Sequence, residues 1–326
     1  MRARLRHSSD GQPGWRRVRR GPRFVYLNSR GQRITSPQAL TRIRRLAIPP
    51  AYEEVWICAD ALGHLQFTGR DARGRKQYRY HAIWRESRDR RKFSRVRRLG
   101  LKLPAIRRRM AKDLRSAKPG RNKAIATALT LLDLTGLRVG NRAYLRENGT
   151  YGLTTLRGKH LRLDSDGARL EFRGKGGIKA RVEIREPALI RILRRSRSAS
   201  SSLLGYRTAN GQRDIDAAVV NARLQEWAGE AVTAKDFRTW TANVRLLKLL
   251  RRLNLQGRQD TRGLRESIAQ VAAELGNTPA VCRRAYVDPA LIDAYSAGEL
   301  GDLRPSRCRG LRIDERRYLA VNEAQG

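Results

Sequence analysis

Excess positive charge limits what this chain can fold into and what it can bind. Its 326 residues include 71 Lys and Arg against 30 Asp and Glu, which gives a formal net charge of +41. Like charges at this density repel one another in a compact state, and a polyanion neutralises them best. Most of the cations are arginine, whose planar guanidinium group binds phosphate and guanine with paired hydrogen bonds. The composition therefore indicates nucleic acid as the partner.

An anionic membrane is the alternative polyanion. Binding it would require a basic amphipathic helix, a lipid-attachment signal or an apolar span, and the sequence shows none of them. The opening residues, MRARLRHSSDG, lack the apolar segment of a secretion signal. Cys58, Cys282 and Cys308 lie far apart without a C-x-x-C pair, which argues against a disulfide framework or a zinc site. We therefore expect a cytoplasmic protein with no membrane partner.

The spacing of apolar residues divides the chain into four parts. Residues 1–22 are polar and basic, which is typical of a flexible tail. Residues 23–92 open with the β-prone runs RFVYLN, EEVWICAD and GHLQFTGRD, and between the first two lies SPQALTRIRR, a capped short helix stopped by Pro49-Pro50. Residues 93–302 are mainly helical in pattern, and residues 303–326 form a second basic tail.

A β insert interrupts the helical part. KHLRLD, ARLEFR and IKARVEI are separated by the tight turns SDG and GKGG, which predicts a three-stranded meander. RNKAIATALTLLDLTGLR and TRGLRESIAQVAAELG place their apolar residues on one helical face. The predicted fold class is α+β, with a small antiparallel β N-terminal domain and a mostly α domain that carries the insert.

A strongly basic stretch follows the third β-prone run. Residues 70–98 contain 13 Lys or Arg against 3 Asp or Glu, together with Tyr78, Tyr80 and Trp84. Cations in such a stretch can follow a phosphate backbone while aromatic rings pack on sugars or bases. A solvated linker helix is the alternative interpretation. The charge bias favours groove contact.

One tyrosine lies between two helix-start signals in GNTPAVCRRAYVDP. Thr278-Pro279 and Asp288-Pro289 each combine a capping side chain with a proline at the first helical position. Tyr286 is therefore predicted at the frayed end of a two-turn helix, beside Arg283 and Arg284, where it can swing into a groove. A phenol needs nearby positive charge to act as a nucleophile. On this segment alone, an ordinary interface aromatic is the better interpretation.

Three other stretches change that interpretation. LTGLRVGNRAYLRENG places Arg138 at a helix end, FRGKGGIK places Lys175 at a hairpin tip, and AKDFRTW places Arg238 at the start of a helix that continues to about Leu255. Each is weak alone. Together with GRDARGRKQYRYH before them and LGNTPAVCRRAYVDPALI after them, in this order from about residue 24 to 295, they make the chain resemble the type IB DNA topoisomerases, most closely the compact bacterial members related to the poxvirus enzymes.

The resemblance implies a catalytic set and a reaction. Tyr286 matches the nucleophile, Arg138 and Arg238 the two arginines, Lys175 the hairpin lysine and Asn277 the remaining phosphate ligand. The tyrosine oxygen would attack one strand of duplex DNA, forming a 3′-phosphotyrosine and releasing a 5′-hydroxyl. Rotation would then relax supercoils of either sign before religation. The reaction implied needs no ATP, metal or other cofactor.

Asn277 and two lysines determine which proton transfers the resemblance allows. Asn277 stands where poxvirus and eukaryotic members carry histidine, and bacterial members resemble this chain in carrying asparagine. An amide cannot transfer a proton at useful pH, so its role is limited to donating a hydrogen bond to phosphate. Lys175 is the expected acid for the leaving oxygen, while Lys235 assists it or holds a nearby phosphate. The sequence leaves open which lysine dominates.

The resemblance also implies how DNA is held. The two domains would close as a clamp around the duplex, in a monomeric enzyme associated with the nucleoid. Arg70, Lys76, Tyr78 and Tyr80 resemble the groove contacts of the clamp. Asn141 and Tyr144 resemble phosphate contacts beside Arg138.

Two alternatives stay open at this point. A tyrosine recombinase shares the arginines, the lysine and the tyrosine, but usually carries histidine where this chain has Lys235, and its N-terminal domain is helical. A non-enzymatic architectural DNA binder would explain the charge. It gives no reason for Tyr286, Lys175 and the arginines to occur in this order.

Overall fold

The computed structural model describes residues 4–117, 120–165, 167–196, 202–229 and 231–321. The chain divides into two compact units, Met1–Lys92 and Phe93–Gly326. Each unit has a separate apolar core. The fold is a mixed α/β one, with an antiparallel sheet in the first unit and a mostly helical second unit.

The first unit contains a five-stranded antiparallel sheet, a short helix and the first turns of a longer helix that begins at Ala82. Its strands are β1 (Trp15–Arg20), β2 (Arg23–Leu27), β3 (Glu53–Ile57), β4 (Leu65–Arg70) and β5 (Lys76–Tyr80), in the spatial order β2-β1-β3-β4-β5. The predicted helix is α1 (Pro37–Arg45), with Ser36 as its cap. Its buried Ile43 packs in one core with Val55, Ile57 and Phe67 of the sheet.

The two faces of this sheet differ. Ile57 and Phe67 are partners across β3 and β4 and belong to the core beneath α1. Because successive side chains alternate, the neighbouring pair Trp56 and Thr68 lies on the opposite face, and so does Tyr78, the partner of Thr68. Strand β5 escapes prediction because KQYRY has no apolar aliphatic residue, and its tyrosines line this second face.

The prediction of a flexible tail over residues 1–22 is wrong for the described residues 4–22. Strand β1 pairs with both β2 and β3. The segment before it is also bound to the sheet, since the Trp56 indole donates to the Gln12 carbonyl at 3.0 Å and the buried Ser8 hydroxyl to the Leu65 carbonyl at 3.1 Å. Arg17 of β1 donates to three backbone carbonyls, which an apolar pattern cannot reveal.

Helix α2 (Ala82–Arg115) runs across the division along the chain, and the second unit is built mainly of helices. Those that follow are α3 (Arg121–Thr135), α4 (Arg142–Asn148), α5 (Pro187–Ser196), α6 (Ala217–Ala228), α7 (Ala234–Leu255), α8 (Thr261–Glu274), α9 (Pro279–Ala285), α10 (Pro289–Ser296) and α11 (Ile313–Ala320). None of the helices in the described ranges combines the length and apolar character needed to cross a bilayer.

Two small sheets interrupt the helices. Strands β6 (Leu161–Leu163), β7 (Ala168–Arg173) and β8 (Lys179–Ile184) form the predicted meander, in the order β6-β7-β8. A further hairpin, β9 (Gly205–Thr208) and β10 (Gly211–Asp214), was not predicted.

Helix α7 is the centre of the second unit. It packs against α3, α6, α8, α10 and α11, and Phe237, Trp240 and Leu246 are buried on it. Its first turn is fixed by Asp236, whose carboxyl accepts from the Thr233 N–H at 2.8 Å and from Arg95 at 3.0 Å. The predicted helix from Arg238 to Leu255 is confirmed.

The prediction of a basic tail over residues 303–326 is wrong for the described residues 303–321. Helix α11 belongs to the core, with Tyr318 fully buried and Leu319 4% exposed. Its buried Glu315 binds Arg107 of α2 at 2.6 and 2.8 Å. The sequence does not reveal this helix, because basic residues dominate the segment and its few apolar and acidic residues are the ones that face the core.

Candidate active site

Two helix C-termini hold the two predicted arginines. The last carbonyls of a helix have no partner within it and form the negative end of its dipole. Arg238 donates to the carbonyl of Gly136, which ends α3, at 2.8 Å, and to that of Leu275, which ends α8. Arg138 donates to the Gly276 carbonyl at 3.3 Å. The ends of α3 and α8 therefore fix both guanidinium groups with neutral partners.

The backbone of Arg138 is fixed by a loop that requires glycine. The Leu153 N–H donates to the Arg138 carbonyl at 2.9 Å. Gly140 has a φ of +94°, and a Cβ added at Gly152 would lie 2.5 Å from the Gly140 Cα. Only two glycines allow this close approach. The LRVGN motif thus sets the position from which Arg138 reaches toward α8.

Asn277 presents a hydrogen-bond donor toward the same place. Arg138 binds the Asn277 Oδ1 atom. Because a guanidinium group can only donate, the amide oxygen must face Arg138, which leaves the Nδ2 group as a donor. Within the described part of the chain, the buried Asn277 Nδ2 and Arg238 Nε atoms have no hydrogen-bond partner. Two buried N–H donors are therefore available for an anion.

Tyr286 lies beside these donors. Its ring centroid is 5.1 Å from the Arg238 Cζ atom, and the side chain is 7% exposed. The prediction of a frayed helix end is wrong, because the Tyr286 N–H donates to the Cys282 carbonyl at 2.9 Å and the residue caps α9. Arg238 of α7 therefore lies next to the phenol, whereas the predicted neighbours Arg283 and Arg284 are exposed.

Burial and mutual repulsion shape the charge of the cluster. Burial, followed by repulsion from Arg138, lowers the pKa of the Arg238 guanidinium to about 10, while the Tyr286 phenol opposes that shift. Arg238 therefore stays protonated at neutral pH. Burial raises the pKa of the Cys282 thiol to about 11, so this thiol stays neutral.

The other predicted residues of the second unit lie outside this contact cluster. Lys175 is exposed at the tip between β7 and β8, where its Nζ atom is 5.5 Å from the Tyr144 ring centroid. Lys235 is exposed in the first turn of α7. Asn141 caps α4, and its Oδ1 atom accepts from the Ala143 N–H at 2.8 Å.

The predicted residues of the first unit lie on β4 and β5. Arg70 binds Glu54 at 2.6 Å, and Lys76 binds Asp10. Tyr78 is 51% exposed, and its ring stacks on Tyr80 with centroids 6.2 Å apart. These four side chains form a basic aromatic surface on the face of the sheet opposite α1.

Asn243 is a functional candidate that the sequence reading missed. This fully buried residue of α7 donates from Nδ2 to the Tyr286 carbonyl at 2.8 Å, and its Oδ1 accepts from the Asp288 N–H at 2.8 Å. The sequence could have indicated Asn243, because a polar amide stands there on the apolar face of the predicted helix, just over one turn after Arg238. In the described ranges, no three His, Cys, Asp or Glu side chains come together as metal ligands.

Comparison with known families assigns the chain. The family profile described as the catalytic core of eukaryotic DNA topoisomerase I matches residues 81–295. The chain belongs to the type IB DNA topoisomerases. The profile of the N-terminal domain of bacterial DNA topoisomerase IB matches residues 23–71. The predicted family and isomerase activity are confirmed, and the enzyme acts on DNA.

Individual relatives agree with this assignment. DNA topoisomerase 1B of Acanthamoeba polyphaga mimivirus is 28% identical over 290 residues, covering 86% of each chain. DNA topoisomerase 1B of vaccinia virus (strain Copenhagen) is 31% identical over 130 residues, covering 39% of this chain and 40% of the viral one. DNA topoisomerase 1 of Mycosarcoma maydis is 34% identical over 115 residues, covering 33% of this chain and 11% of the fungal one.

Proposed function

We propose that this topoisomerase nicks one strand of duplex DNA with Tyr286 and reseals it after rotation has relaxed positive or negative supercoils. The observation that carries this proposal is the pair of unpartnered, buried donors, Arg238 Nε and Asn277 Nδ2, in the cluster that holds the phenol. A phosphodiester supplies the oxygens that would satisfy them. Unsatisfied buried donors are costly, and although other buried donors in the described ranges, such as Arg251 Nε, also lack a partner, these two belong to one cluster beside the phenol, where a single phosphate could satisfy both.

The proposed reaction exchanges one phosphate ester for another. The Tyr286 oxygen forms a bond to phosphorus and releases its proton to water, while the bond from phosphorus to the 5′ oxygen breaks. Lys175 gives a proton to the departing oxygen, and Lys235 holds or assists at the neighbouring phosphate. A 3′-phosphotyrosine remains, and its ester energy drives resealing without ATP.

Arg138 and Arg238 act on the charge that develops in the transition state. Charge spreads over the nonbridging oxygens as the tyrosine attacks, and fixed cations stabilise it more than they stabilise the ground state. Neutral carbonyls hold both groups, so their positive charge is not cancelled. Removing one such donor costs about 100- to 1,000-fold in comparable sites. This step needs the arginines in place before DNA binds, as the helix ends hold them here.

The proposed DNA contacts divide between the units. Arg70, Lys76, Tyr78 and Tyr80 contact the duplex from the first unit, and Asn141 and Tyr144 contact phosphates from the second. Closure of both units around DNA as a clamp, in a monomeric, cytoplasmic and nucleoid-associated enzyme, completes the proposal. The stacked pair of exposed Tyr78 and half-buried Tyr80, with its flanking cations, supports it, since aromatic rings and cations together bind nucleic acid.

Plasmid relaxation tests the proposal. Wild-type enzyme should relax positively and negatively supercoiled plasmid in EDTA without ATP, and a denaturant quench should trap protein on the 3′ end of the nick. Tyr286→Phe should lose both activities while it still binds DNA. The matched control is Tyr295→Phe, because this buried tyrosine donates to the Asp260 carbonyl at 3.1 Å, away from the cluster. Relaxation by Tyr286→Phe at the wild-type rate would overturn the proposal.

A further inference from the structure

The C-terminal segment is tied to the chain just after Tyr286. The fully buried Tyr318 of α11 donates from its hydroxyl to the Asp288 Oδ2 atom at 3.0 Å. The other carboxyl oxygen of Asp288 accepts from the Ala290 N–H at 3.2 Å and so begins α10. Helix α11 lies beyond residue 295, where the match to the catalytic-core profile ends. It therefore supplies a contact that the matched region does not contain.

The residues from Tyr286 to Asp288 are held from two sides. From α7, the Asn243 amide binds the Tyr286 carbonyl and the Asp288 N–H, each at 2.8 Å. From α11, the Tyr318 hydroxyl binds the Asp288 side chain. Val287 between them is 4% exposed. Only one residue, Val287, stands between Asp288 and Tyr286, so a shift of Asp288 must move Tyr286.

Helix α11 has a rigid anchor of its own. Glu315 accepts both arms of Arg107 at 2.6 and 2.8 Å, and Arg107 also binds Asp133 of α3 at 2.8 and 2.9 Å. These hydrogen bonds hold the Glu315 pKa below its usual range despite burial. The anchor thus joins α11 to the helix whose end holds Arg238.

An aromatic contact fixes the direction of the Tyr318 hydroxyl. Its ring meets Trp240 edge to face, with centroids 5.3 Å apart. Trp240 in turn lies against Gly100, where a Cβ would come within 2.2 Å of the indole. Burial, followed by the proximity of Asp288, raises the pKa of the Tyr318 phenol well above its usual value, so it remains a donor. The buried ring is thus packed with its hydroxyl on the Asp288 carboxyl.

We propose that Tyr318 is a positioning residue that holds Tyr286 in line for attack through its hydrogen bond to Asp288. This inference rests on Tyr286 being the nucleophile. A misplacement of about 1 Å in a reacting group can lower a rate about 100-fold. Loss of the hydroxyl should therefore slow strand cleavage much more than it weakens DNA binding.

Single-turnover cleavage with enzyme in excess tests this. Tyr318→Phe keeps the ring and removes only the hydroxyl, and we expect cleavage to slow by about 10- to 100-fold. DNA affinity, measured in the Tyr286→Phe background, should change by less than about twofold. Tyr295→Phe, the control, likewise removes only a hydroxyl from a buried ring, one whose part-buried hydrogen bond at 3.1 Å goes to a backbone carbonyl. It should lower the melting temperature less than Tyr318→Phe does and cleave at the wild-type rate.

A second substrate separates positioning of the nucleophile from help to the leaving group. Replacing the bridging 5′ oxygen by sulfur gives a leaving group that needs no proton. The Tyr318→Phe defect should persist with this substrate, whereas a defect acting through the general acid would disappear. Should Tyr318→Phe fail to fold, Glu315→Gln weakens the anchor of the same helix and should give the same pattern with a smaller loss.

Three results would overturn the inference: wild-type cleavage by Tyr318→Phe, an equal loss in Tyr295→Phe, or recovery on the sulfur substrate. A failure of the proposed function would look different. In that case Tyr286→Phe would still form the covalent adduct, whatever Tyr318→Phe did.

Discussion

The candidate catalytic arginines of the second unit and the candidate DNA-binding cations of the first unit are held in opposite ways. In the second unit, Arg238 is 2% exposed and its donors meet neutral backbone carbonyls. In the first unit, the side chains of Arg70 and Lys76 are 46% and 41% exposed, and each meets a carboxylate. Carbonyls fix a guanidinium group without cancelling its charge, whereas carboxylates neutralise the cation until phosphate displaces them. The carboxylate pairs of Arg70 and Lys76 therefore suit binding, and the carbonyl-held Arg238 suits catalysis.

The largest expected effect comes from the buried cation. Arg238→Ala should lower the single-turnover cleavage rate by about 100- to 1,000-fold, because a preorganised donor to the transition state is lost. Its matched control is Arg251→Ala on the same helix, about 20 Å farther along it. Arg251 also donates to a carbonyl, that of Gly301 at 3.0 Å. Similar losses of cleavage rate in both variants would mean that removing any arginine held by a carbonyl from α7 impairs the enzyme. The contrast between Arg238 and the exposed cations of the first unit would then not hold.

The neutral donor should matter less. Asn277→Ala removes one hydrogen bond to a charged phosphate, and we expect cleavage to slow by about 10- to 100-fold. Asn254→Ala is the control, because this buried amide of α7 also binds backbone carbonyls, those of Tyr295 and Arg258. It should lower stability without changing the cleavage rate. An unchanged cleavage rate in Asn277→Ala would show that the amide does not bind the reacting phosphate.

An exposed cation should affect binding alone. Arg70→Ala should lower DNA affinity by less than about tenfold at 0.1 M salt and reduce the slope of log affinity against log salt by about 1. The cleavage rate at saturating enzyme should stay at the wild-type value. Arg44→Ala on α1, on the other side of the sheet, should leave the slope unchanged. A rate loss in Arg70→Ala would place this cation in the catalytic step.

The smallest expected effect is a gain. Asp10 binds Lys76 and accepts from the Thr68 hydroxyl at 2.9 Å, and its pKa is lowered chiefly by the hydrogen bond from Lys76. Asp10→Asn should free Lys76 for phosphate and raise DNA affinity by about two- to fivefold, a gain that salt should abolish. Asp60→Asn removes the same charge beside Arg6 and should give a smaller gain. Equal gains would show a general charge effect.

Local signals predicted most of the elements. The caps at Thr278 and Asp288 begin α9 and α10, and the turn GKGG separates β7 from β8. Such signals act over a few residues, so a sequence displays them directly. Strand β1 and helix α11 gave no comparable signal, because their inward-facing groups are arginines, a glutamate and a tyrosine whose partners lie far away along the chain.

The sequence alone determined the partner class, the family and the identity of five candidate catalytic side chains, because charge and motif spacing are local properties. Only the tertiary structure decided how four of them meet. The ends of α3 and α8 hold Arg138 and Arg238, and the amide of Asn277 turns its donor outward. It also joined the C-terminal helix to Tyr286. These residues lie far apart along the chain, and the packing of helices brings them together. Their spacing in the sequence therefore does not show which of them will be in contact.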